Sequence, residues 1–408
     1  MHRRTLVKSV AALGLATLLG AGTAAAQEKA TQDKIKIGAA VSLTGNFARE
    51  GHLLKNGYAY WEKLVNDAGG IKVGDKKMPV EVIYYDDESK PQTSARLTEK
   101  LITEDGVGFI LGPYSSGIAT ATAAISEKYK VITMTPMATA DSLYQRGYKY
   151  IFCPAPLAST TLDPMLALLK TVKDPPKTIA IAGPDDLFPN VFAGAAQKKA
   201  EAEGLKVVYT TKYPKGSADL SSVATALKES NPDVLILTGY VQDSILLIKT
   251  LQTLKVNPKL IGFAFAVGIP DFLNALGPAA EDLFGVQIWD PALTYKGAVV
   301  ADSATYVETF KKQFNGETPT YITAAGTAGA LALQLAIEKA GSTDPVKVRE
   351  AMLQLDTETF FGPVKFNDAG VDVKASAVVA QVQGGKAVPV YPAAIAAAPV
   401  VYPRKPFP

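Results

Sequence analysis

Two short stretches carry hydroxyl side chains at positions where α/β proteins bind small ligands. Gly112-Pro-Tyr-Ser-Ser-Gly117 and Thr135-Pro-Met-Ala-Thr139 each follow an apolar run that predicts a buried strand, at 107–111 and 131–134. The first stretch also opens a predicted helix, 116–128, whose free backbone N–H groups favour an anion. Parallel strands that present hydroxyls and amides at their carboxyl ends form the ligand crevice of open α/β sheets. The pattern predicts a site for a small carboxylate.

Side chains typical of catalytic or metal sites are scarce. Beyond His2 near the start, the chain contains one histidine, His52, and one cysteine, Cys153. One thiol cannot form an intrachain disulfide, and these counts exclude a zinc site of the usual Cys and His kind. The chain has no G-x-S-x-G elbow and no Gly-rich phosphate loop, which disfavours an enzyme. The pair Asp86-Asp87 has no evident third ligand, so we expect neither metal nor cofactor.

The first 26 residues have the pattern of a secretory signal. A basic start precedes an apolar stretch at 10–19, and small residues follow at 24–26, so cleavage is predicted after Ala26. The apolar stretch is shorter than the ~20 residues of a membrane-spanning helix. Both Sec and Tat export remain open. We expect an exported, periplasmic protein.

Composition excludes a polyanionic partner for the remaining chain. The 408 residues are 48% hydrophobic and 20% charged, which suits a folded protein of two or three domains. The excess of +3 comes from Arg3, Arg4 and Lys8, and without them acidic and basic residues balance at 39 each. A balanced charge gives no indication of nucleic acid as a partner.

Strand and helix signals alternate along most of the chain. Predicted strands lie at 35–43, 80–85, 107–111, 131–134, 178–182, 206–213, 234–238 and 260–266, with helical spacing between them. This alternation predicts an α/β protein with parallel sheets and right-handed crossovers. Helices dominate after Trp289, and from Gly384 the chain becomes rich in Pro and Ala. That last segment, 385–408, is predicted to be an irregular tail.

A series of short motifs spans nearly all of the chain after the signal. They are Leu43-Thr-Gly45, Gly51, Asn66-Asp-Ala-Gly-Gly-Ile71, Asp86-Asp87 with Pro91, Leu111-Gly-Pro-Tyr-Ser-Ser116, Thr135-Pro-Met-Ala-Thr139, Arg146-Gly-Tyr148, Gly239-Tyr240 and Phe361-Gly-Pro363. In the order and spacing of these motifs, the chain resembles the type I periplasmic solute-binding proteins of ABC transporters, in the Leu/Ile/Val-binding family.

The resemblance implies two doubly wound parallel-sheet lobes joined by three crossovers, with the ligand cleft between them. Lobe 1 is expected at 27–152 with 287–360, and lobe 2 at 153–286 with 361–384. The crossovers are expected near 150–156, 283–290 and 356–364, and hinge motion there would close the cleft.

The resemblance also implies which residues touch the ligand. Ser116 corresponds to a residue that binds the ligand carboxylate, Thr139 supplies a hydroxyl with its amide, and Met137 supplies a main-chain contact. Ser115 and Ser116 alternatively serve only as helix caps. From the second lobe, Tyr240 corresponds to a tyrosine that covers the ligand. The expected set is Glu50, Tyr114, Ser115, Ser116, Met137, Ala138, Thr139, Phe188, Tyr240, Ala264 and Phe265.

The chain departs from amino-acid binders of this family at Ala264, near which they usually place an acid for the ligand ammonium. Residues 260–266 carry no charge, and a buried ammonium without a partner is costly. Either Glu50, Asp185 or Asp186 serves instead, or the ligand has no ammonium. In the second case an aromatic or alkyl carboxylate would suit the rings of Tyr114, Tyr240, Phe263 and Phe265.

The function implied is that of a monomeric binding component, which captures a small carboxylate ligand and delivers it to the membrane subunits of an ABC permease. The ligand class stays open between amino acids, branched-chain ones included, and aromatic or alkyl carboxylates. A ligand-sensing receptor domain on the same fold and a Rossmann-like enzyme are the alternatives.

Overall fold

A computed structural model describes residues 34–408, so the predicted signal at 1–26 lies outside the described residues. The first part of the chain forms one five-stranded sheet with its helices, and its second and third strands form a separate antiparallel hairpin. Its elements are β1 (Ile35–Val41), α1 (Ala48–Asp67), β2 (Ile71–Val73), β3 (Lys76–Met78), β4 (Val80–Asp86), α2 (Pro91–Thr103), β5 (Phe109–Leu111), α3 (Ser116–Tyr129), β6 (Ile132–Met134), α4 (Asp141–Tyr144) and β7 (Ile151–Phe152). The sheet has the order β4-β1-β5-β6-β7, and every pair in it is parallel.

The middle of the chain repeats this layout in a second sheet. Its elements are α5 (Ala158–Thr161), α6 (Asp163–Leu169), β8 (Thr178–Pro184), α7 (Leu187–Ala202), β9 (Lys206–Tyr213), α8 (Ser221–Ser230), β10 (Val234–Leu237), α9 (Val241–Thr253), β11 (Leu260–Phe263), α10 (Pro270–Leu276) and β12 (Phe284–Gln287). The central strands are continuous apolar runs because both faces of a parallel sheet are covered by helices. All four residues of β10 are buried, for example.

The last part of the chain returns to the first sheet and then to the second. Its elements are α11 (Ser303–Gln313), α12 (Tyr321–Ala340), α13 (Pro345–Leu353), the hairpin of β13 (Thr357–Thr359) and β14 (Gly362–Val364), β15 (Val378–Gln383) and β16 (Lys386–Tyr391). Helix α12 packs on α1, whereas β15 pairs antiparallel with β12. The chain therefore passes between the two sheets three times, after β7, after β12 and before β15. The exact lobe boundaries stay a prediction.

Helices α1 and α12 approach each other at glycines. The apolar residues Leu54, Tyr58, Trp61 and Val65 form one buried stripe of α1, as their helical spacing requires. A Cβ added to Gly57 would lie 2.2 Å from the carbonyl oxygen of Thr323, a backbone atom of α12. The contact fixes the middle of α1 against the first turn of α12, which begins with Tyr321.

The predicted irregular tail at 385–408 is wrong for its first residues. Lys386–Tyr391 form β16, which pairs antiparallel with β15 at the edge of a seven-stranded sheet of order β16-β15-β12-β11-β10-β8-β9. Pro389 is tolerated because an edge strand need not use every N–H. Beyond β16 the chain is tied to the same sheet, since the Val401 N–H donates to the Gln381 side chain at 2.9 Å. Of the helices in residues 34–408, none has the length and apolarity needed to cross a membrane.

Candidate functional site

The candidate site lies where the strand order reverses in each sheet, which is where open α/β sheets bind ligands. In the first sheet this point lies between β1 and β5, and in the second between β8 and β10. The loops that leave the carboxyl ends of these four strands meet between the sheets.

A cavity between the loops is lined by residues from both sheets. They are Tyr114, Ser115, Ser116, Met137, Phe188, Tyr240 and Phe265. The space between their atoms is about 230 Å³, of which only about 10 Å³ can take the centre of a water molecule. A ligand larger than one water therefore requires the two walls to separate. All seven residues belong to the predicted set.

One wall of the cavity is the N-terminus of α3. The first N–H groups of a helix have no partner within it, and the helix dipole adds a partial positive charge there. The Ser115 side chain makes no capping hydrogen bond, so a role as a cap alone does not describe it. The Ser116 hydroxyl accepts a hydrogen bond from the Ala140 N–H at 3.2 Å, which ties the loop after β6 to α3. This wall is suited to an anion.

Thr139 lies behind this wall on the loop after β6. It is fully buried, and its hydroxyl has no hydrogen-bond partner among residues 34–408. A buried hydroxyl without a partner costs about 1–3 kcal/mol. An acceptor that reached this hydroxyl would remove that cost.

The opposite wall is aromatic. Phe188 and Phe265 stack at 5.7 Å between ring centroids, and Phe265 stacks on Tyr321 at 5.5 Å. The Tyr240 ring packs against Phe47 at 5.0 Å and Tyr114 at 6.3 Å. The pairs of Tyr240 and of Phe265 with Tyr321 join the two parts of the chain, and such pairs stabilise the closed arrangement by about 0.5–1.5 kcal/mol each.

Three acids lie near the cavity without lining it. Asp186 forms an ion pair with Lys215 at 2.9 Å and accepts a hydrogen bond from the Tyr240 hydroxyl at 3.1 Å. Burial raises the pKa of Asp243 to about 6. Burial also raises the pKa of Glu50, although its hydrogen bond to the backbone and the charge of Arg49 act against the shift.

The remaining predicted residues do not reach the cavity surface. Ala138, Thr139 and Ala264 are fully buried. Glu50 lines an adjoining pocket that includes Phe47, Asp243 and Tyr240.

The prediction missed Phe47 and Tyr321. Both come into the site through helix packing across the chain, because Phe47 precedes α1 and Tyr321 begins α12. The only local signal for Tyr321 is Thr320, the N-cap of α12, whose side chain accepts from the Thr323 N–H.

The Asp86-Asp87 pair has a structural role at the end of β4. Asp86 accepts from the Leu43 N–H at 2.9 Å and from the Thr44 hydroxyl at 2.7 Å, while Asp87 accepts from the Ser42 hydroxyl at 2.6 Å. The two carboxylates fix the loop after β1. Across 34–408, no group of three or more His, Cys, Asp or Glu side chains is placed to hold a metal ion.

The family of the chain follows from comparison with known proteins. The model of a family described as "Periplasmic binding protein" matches residues 34–387. The chain belongs to the periplasmic binding protein family. This match confirms the resemblance and the α/β fold predicted from the sequence.

Relatives of this periplasmic binding protein carry names of amino-acid binders. It is 29% identical over 94% of its length to Leu/Ile/Val-binding protein homolog 8 of Brucella suis, of which 95% is covered. It is 26% identical over 83% of its length to the leucine-, isoleucine-, valine-, threonine- and alanine-binding protein of Pseudomonas aeruginosa, of which 87% is covered.

Solved structures agree on the fold. A leucine binding protein LivK from Thermotoga maritima superposes with a TM-score of 0.76 at 22% identity, covering 87% of this chain and 97% of that one. A solute binding protein from Rhodopseudomonas palustris in complex with benzoate gives 0.74 at 20% identity, with 90% and 97% covered. At these identities the likeness shows the fold alone.

Polar contacts within this periplasmic binding protein link its two sheets across the cleft. The Tyr321 hydroxyl donates to the Phe265 carbonyl at 2.7 Å, and Arg49 of α1 forms an ion pair with Asp271 of α10. The cleft is therefore held closed by at least these two polar contacts.

Proposed function

We propose that this periplasmic binding protein captures a small ligand through its carboxylate, between α3 and the aromatic wall of the second sheet. One observation carries the proposal. The start of α3, with Ser115 and Ser116, lines the cavity, and the unpartnered hydroxyl of Thr139 lies behind it. Unused N–H and hydroxyl donors at a helix N-terminus are what a carboxylate requires.

The donors are sufficient for a useful affinity. A hydrogen bond to a charged group contributes about 1.5–3 kcal/mol, so two N–H groups and two hydroxyls supply several kcal/mol together. The cost of ordering and desolvating the ligand reduces this sum. Apolar contact with Tyr240, Phe188 and Phe265 adds to it.

Closure follows from the position of the cavity between the sheets. A ligand that touches both walls binds the closed form better than the open form, and so shifts the equilibrium towards closure. Rotation at the three segments between the sheets would move the walls apart. We propose that the closed, loaded protein acts as a monomer in the periplasm and delivers its ligand to an ABC permease.

The relatives support a carboxylate ligand but not one chemical class. Names among them specify leucine, isoleucine, valine, threonine and alanine, and benzoate is bound in a structure of the same fold. The feature common to amino acids and benzoate is the carboxylate.

The carboxylate site is tested by removing its hydroxyls. The double variant Ser116→Ala with Thr139→Ala should bind at least tenfold more weakly than the parent. Ligands are first found with a thermal-shift screen of leucine, phenylalanine, 4-hydroxybenzoate, phenylpyruvate and short fatty acids, since ligands that bind only the folded state raise its melting temperature. Affinity is then measured by calorimetry.

Thr120→Ala is the matched control. Its hydroxyl lies on the same helix and bonds to the Ser116 carbonyl at 2.9 Å, but it does not line the cavity. The control should keep the affinity of the parent. Equal affinity of the double variant and the parent would contradict the proposed site.

A further inference from the structure

We infer that the ligand of this cleft is a monocarboxylate without an ammonium group, with an aromatic or branched alkyl body. The inference rests on the proposed function, because it concerns the far end of a ligand whose carboxylate lies at α3. It departs from the amino acids in the names of the relatives.

The cavity lining offers no carboxylate. Its seven residues supply two serine hydroxyls, two phenols, one thioether and two phenyl rings. An ammonium group carries three N–H donors and a full charge, and an unpaired buried charge costs several kcal/mol. An α-amino acid would place its ammonium about 3 Å from the carboxylate oxygens, next to the positive end of α3, which repels a cation.

Asp186 lies close to this position, since a Cβ added to Gly117 of α3 would lie 3.5 Å from its Oδ1, and both of its oxygens already accept hydrogen bonds from the protein. One oxygen accepts from the Leu187 N–H at 2.9 Å, and the other accepts from Lys215 at 2.9 Å and from the Tyr240 hydroxyl at 3.1 Å. Asp186 thereby caps α7 and its charge is balanced by Lys215. A ligand ammonium would have to share this carboxylate with Lys215, which already neutralises its charge.

Asp243 has its own partners at the start of α9. One oxygen accepts from the Tyr240 N–H at 2.9 Å and the other from the Tyr213 hydroxyl at 2.5 Å. The first of these bonds is the one by which Asp243, at the third position of α9, caps the start of the helix. Asp243 contributes to the structure of the loop that carries Tyr240.

Glu50 is separated from the cavity by aromatic rings. Tyr240 lines both the cavity and the pocket of Glu50, and its ring packs on Phe47 and Tyr114. Tyr240, packed between Phe47 of the adjoining pocket and Tyr114 of the cavity, separates the two spaces. Glu50 therefore faces the adjoining pocket.

The end of β11 supplies a ring at the point where an acid would be useful. Ala264 is fully buried and its N–H continues the sheet by donating to the Leu237 carbonyl at 3.1 Å. The next residue, Phe265, stacks on Phe188 with 29° between the ring planes. Together the two rings present an apolar surface against which a flat or branched apolar group packs.

The test compares pairs of compounds that share a carbon skeleton and differ only in the ammonium group. Calorimetry measures the affinity for leucine against 4-methylpentanoate and for phenylalanine against 3-phenylpropanoate, with benzoate as a further ligand. We expect at least one acid without the ammonium to bind at least tenfold more tightly than its amino-acid counterpart. Equal or tighter binding of the amino acids would overturn the inference and leave the carboxylate site intact. Failure of all five compounds to bind would contradict the proposed function as well.

A substitution of Asp186 tests whether its negative charge is needed for ligand binding. Asp186→Asn removes a negative charge near α3 but keeps the shape of the side chain, so 3-phenylpropanoate should bind as tightly as to the parent or more tightly. Asp185→Asn is the matched control, because the carboxylate of Asp185 is next to Asp186 in the sequence, is exposed and accepts a hydrogen bond from the Asn190 side chain. If phenylalanine binds the parent and loses at least tenfold in affinity in Asp186→Asn, while 3-phenylpropanoate binds both equally and the fold is intact by circular dichroism, Asp186 holds a ligand ammonium and the inference is overturned.

Discussion

Replacing Gly57 by alanine should destabilise the protein although alanine is the better helix former. Gly57 lies inside α1, where alanine is favoured over glycine by about 1 kcal/mol. The added Cβ, however, would lie 2.2 Å from the Thr323 carbonyl oxygen, whereas ordinary contact begins at 3.4 Å. The obstacle is backbone, so no side-chain rotation relieves it.

The magnitude follows from these two opposing effects. Helices α1 and α12 would have to separate by about 1 Å, and overpacking of this kind typically costs 1–3 kcal/mol and occasionally more. Because the obstacle is backbone, we take the upper end of this range, about 3 kcal/mol, and after the propensity gain of about 1 kcal/mol we expect the free energy of unfolding to fall by about 2 kcal/mol. Separation would also stretch the hydrogen bond of 2.9 Å from the Thr327 hydroxyl to the Gly57 carbonyl.

Gly194→Ala is the matched control. Gly194 also lies inside a long helix, α7, but an added Cβ there meets no atom within 4 Å, so the variant should gain about 1 kcal/mol from propensity alone. Urea unfolding followed by tryptophan fluorescence measures both, since Trp61 lies on α1. A Gly57→Ala variant as stable as the parent or as Gly194→Ala would contradict the backbone contact between α1 and α12 at Gly57.

Three further variants test individual contacts. Burial raises the pKa of Asp243 to about 6, so between about pH 4 and pH 6 the folded protein keeps a proton on Asp243 that the unfolded chain has lost. The free energy of unfolding should therefore fall by up to about 3 kcal/mol as the pH rises through this range. Asp243→Asn should remove this part of the pH dependence, as measured by urea unfolding at several pH values. Tyr321→Phe loses the bond to the Phe265 carbonyl and should weaken ligand affinity about two- to tenfold in calorimetry, with the ring stack retained; an unchanged affinity would contradict its role in closure. Tyr58→Phe removes the buried donor to the Gly112 carbonyl and should lower the free energy of unfolding by about 1–3 kcal/mol, whereas no change would mean that the carbonyl finds another donor.

Much of the fold was predictable because its strands are buried on both faces. A run such as Val234–Leu237 is apolar at every position, so it is recognised as a strand without an alternating pattern of polar and apolar residues. The helices between such runs require parallel pairing of the strands. The loops at 112–117 and 135–139 were predictable for the same reason, since they directly follow two of these strands.

The rest depends on packing between distant segments. Phe47 and Tyr321 join the site because α1 and α12 meet across about 270 residues, and no local pattern encodes that pairing. The ion pair of Asp186 with Lys215 depends on the length of the loop after β9, which spacing alone does not determine. Strand β16 was missed because proline and alanine favour irregular structure, whereas an edge strand accepts both.

The contact between α1 and α12 has a consequence for the order of folding during synthesis. Helix α1 exposes Leu54, Tyr58 and Trp61 until α12 is made, and at about 5–20 residues per second a delay of 270 residues lasts roughly 15–50 seconds. The first sheet cannot cover its apolar face before most of the chain has left the ribosome. For a protein that we propose to be exported, this delay favours a route that takes unfolded chains, because the chain stays unfolded until most of it has been made.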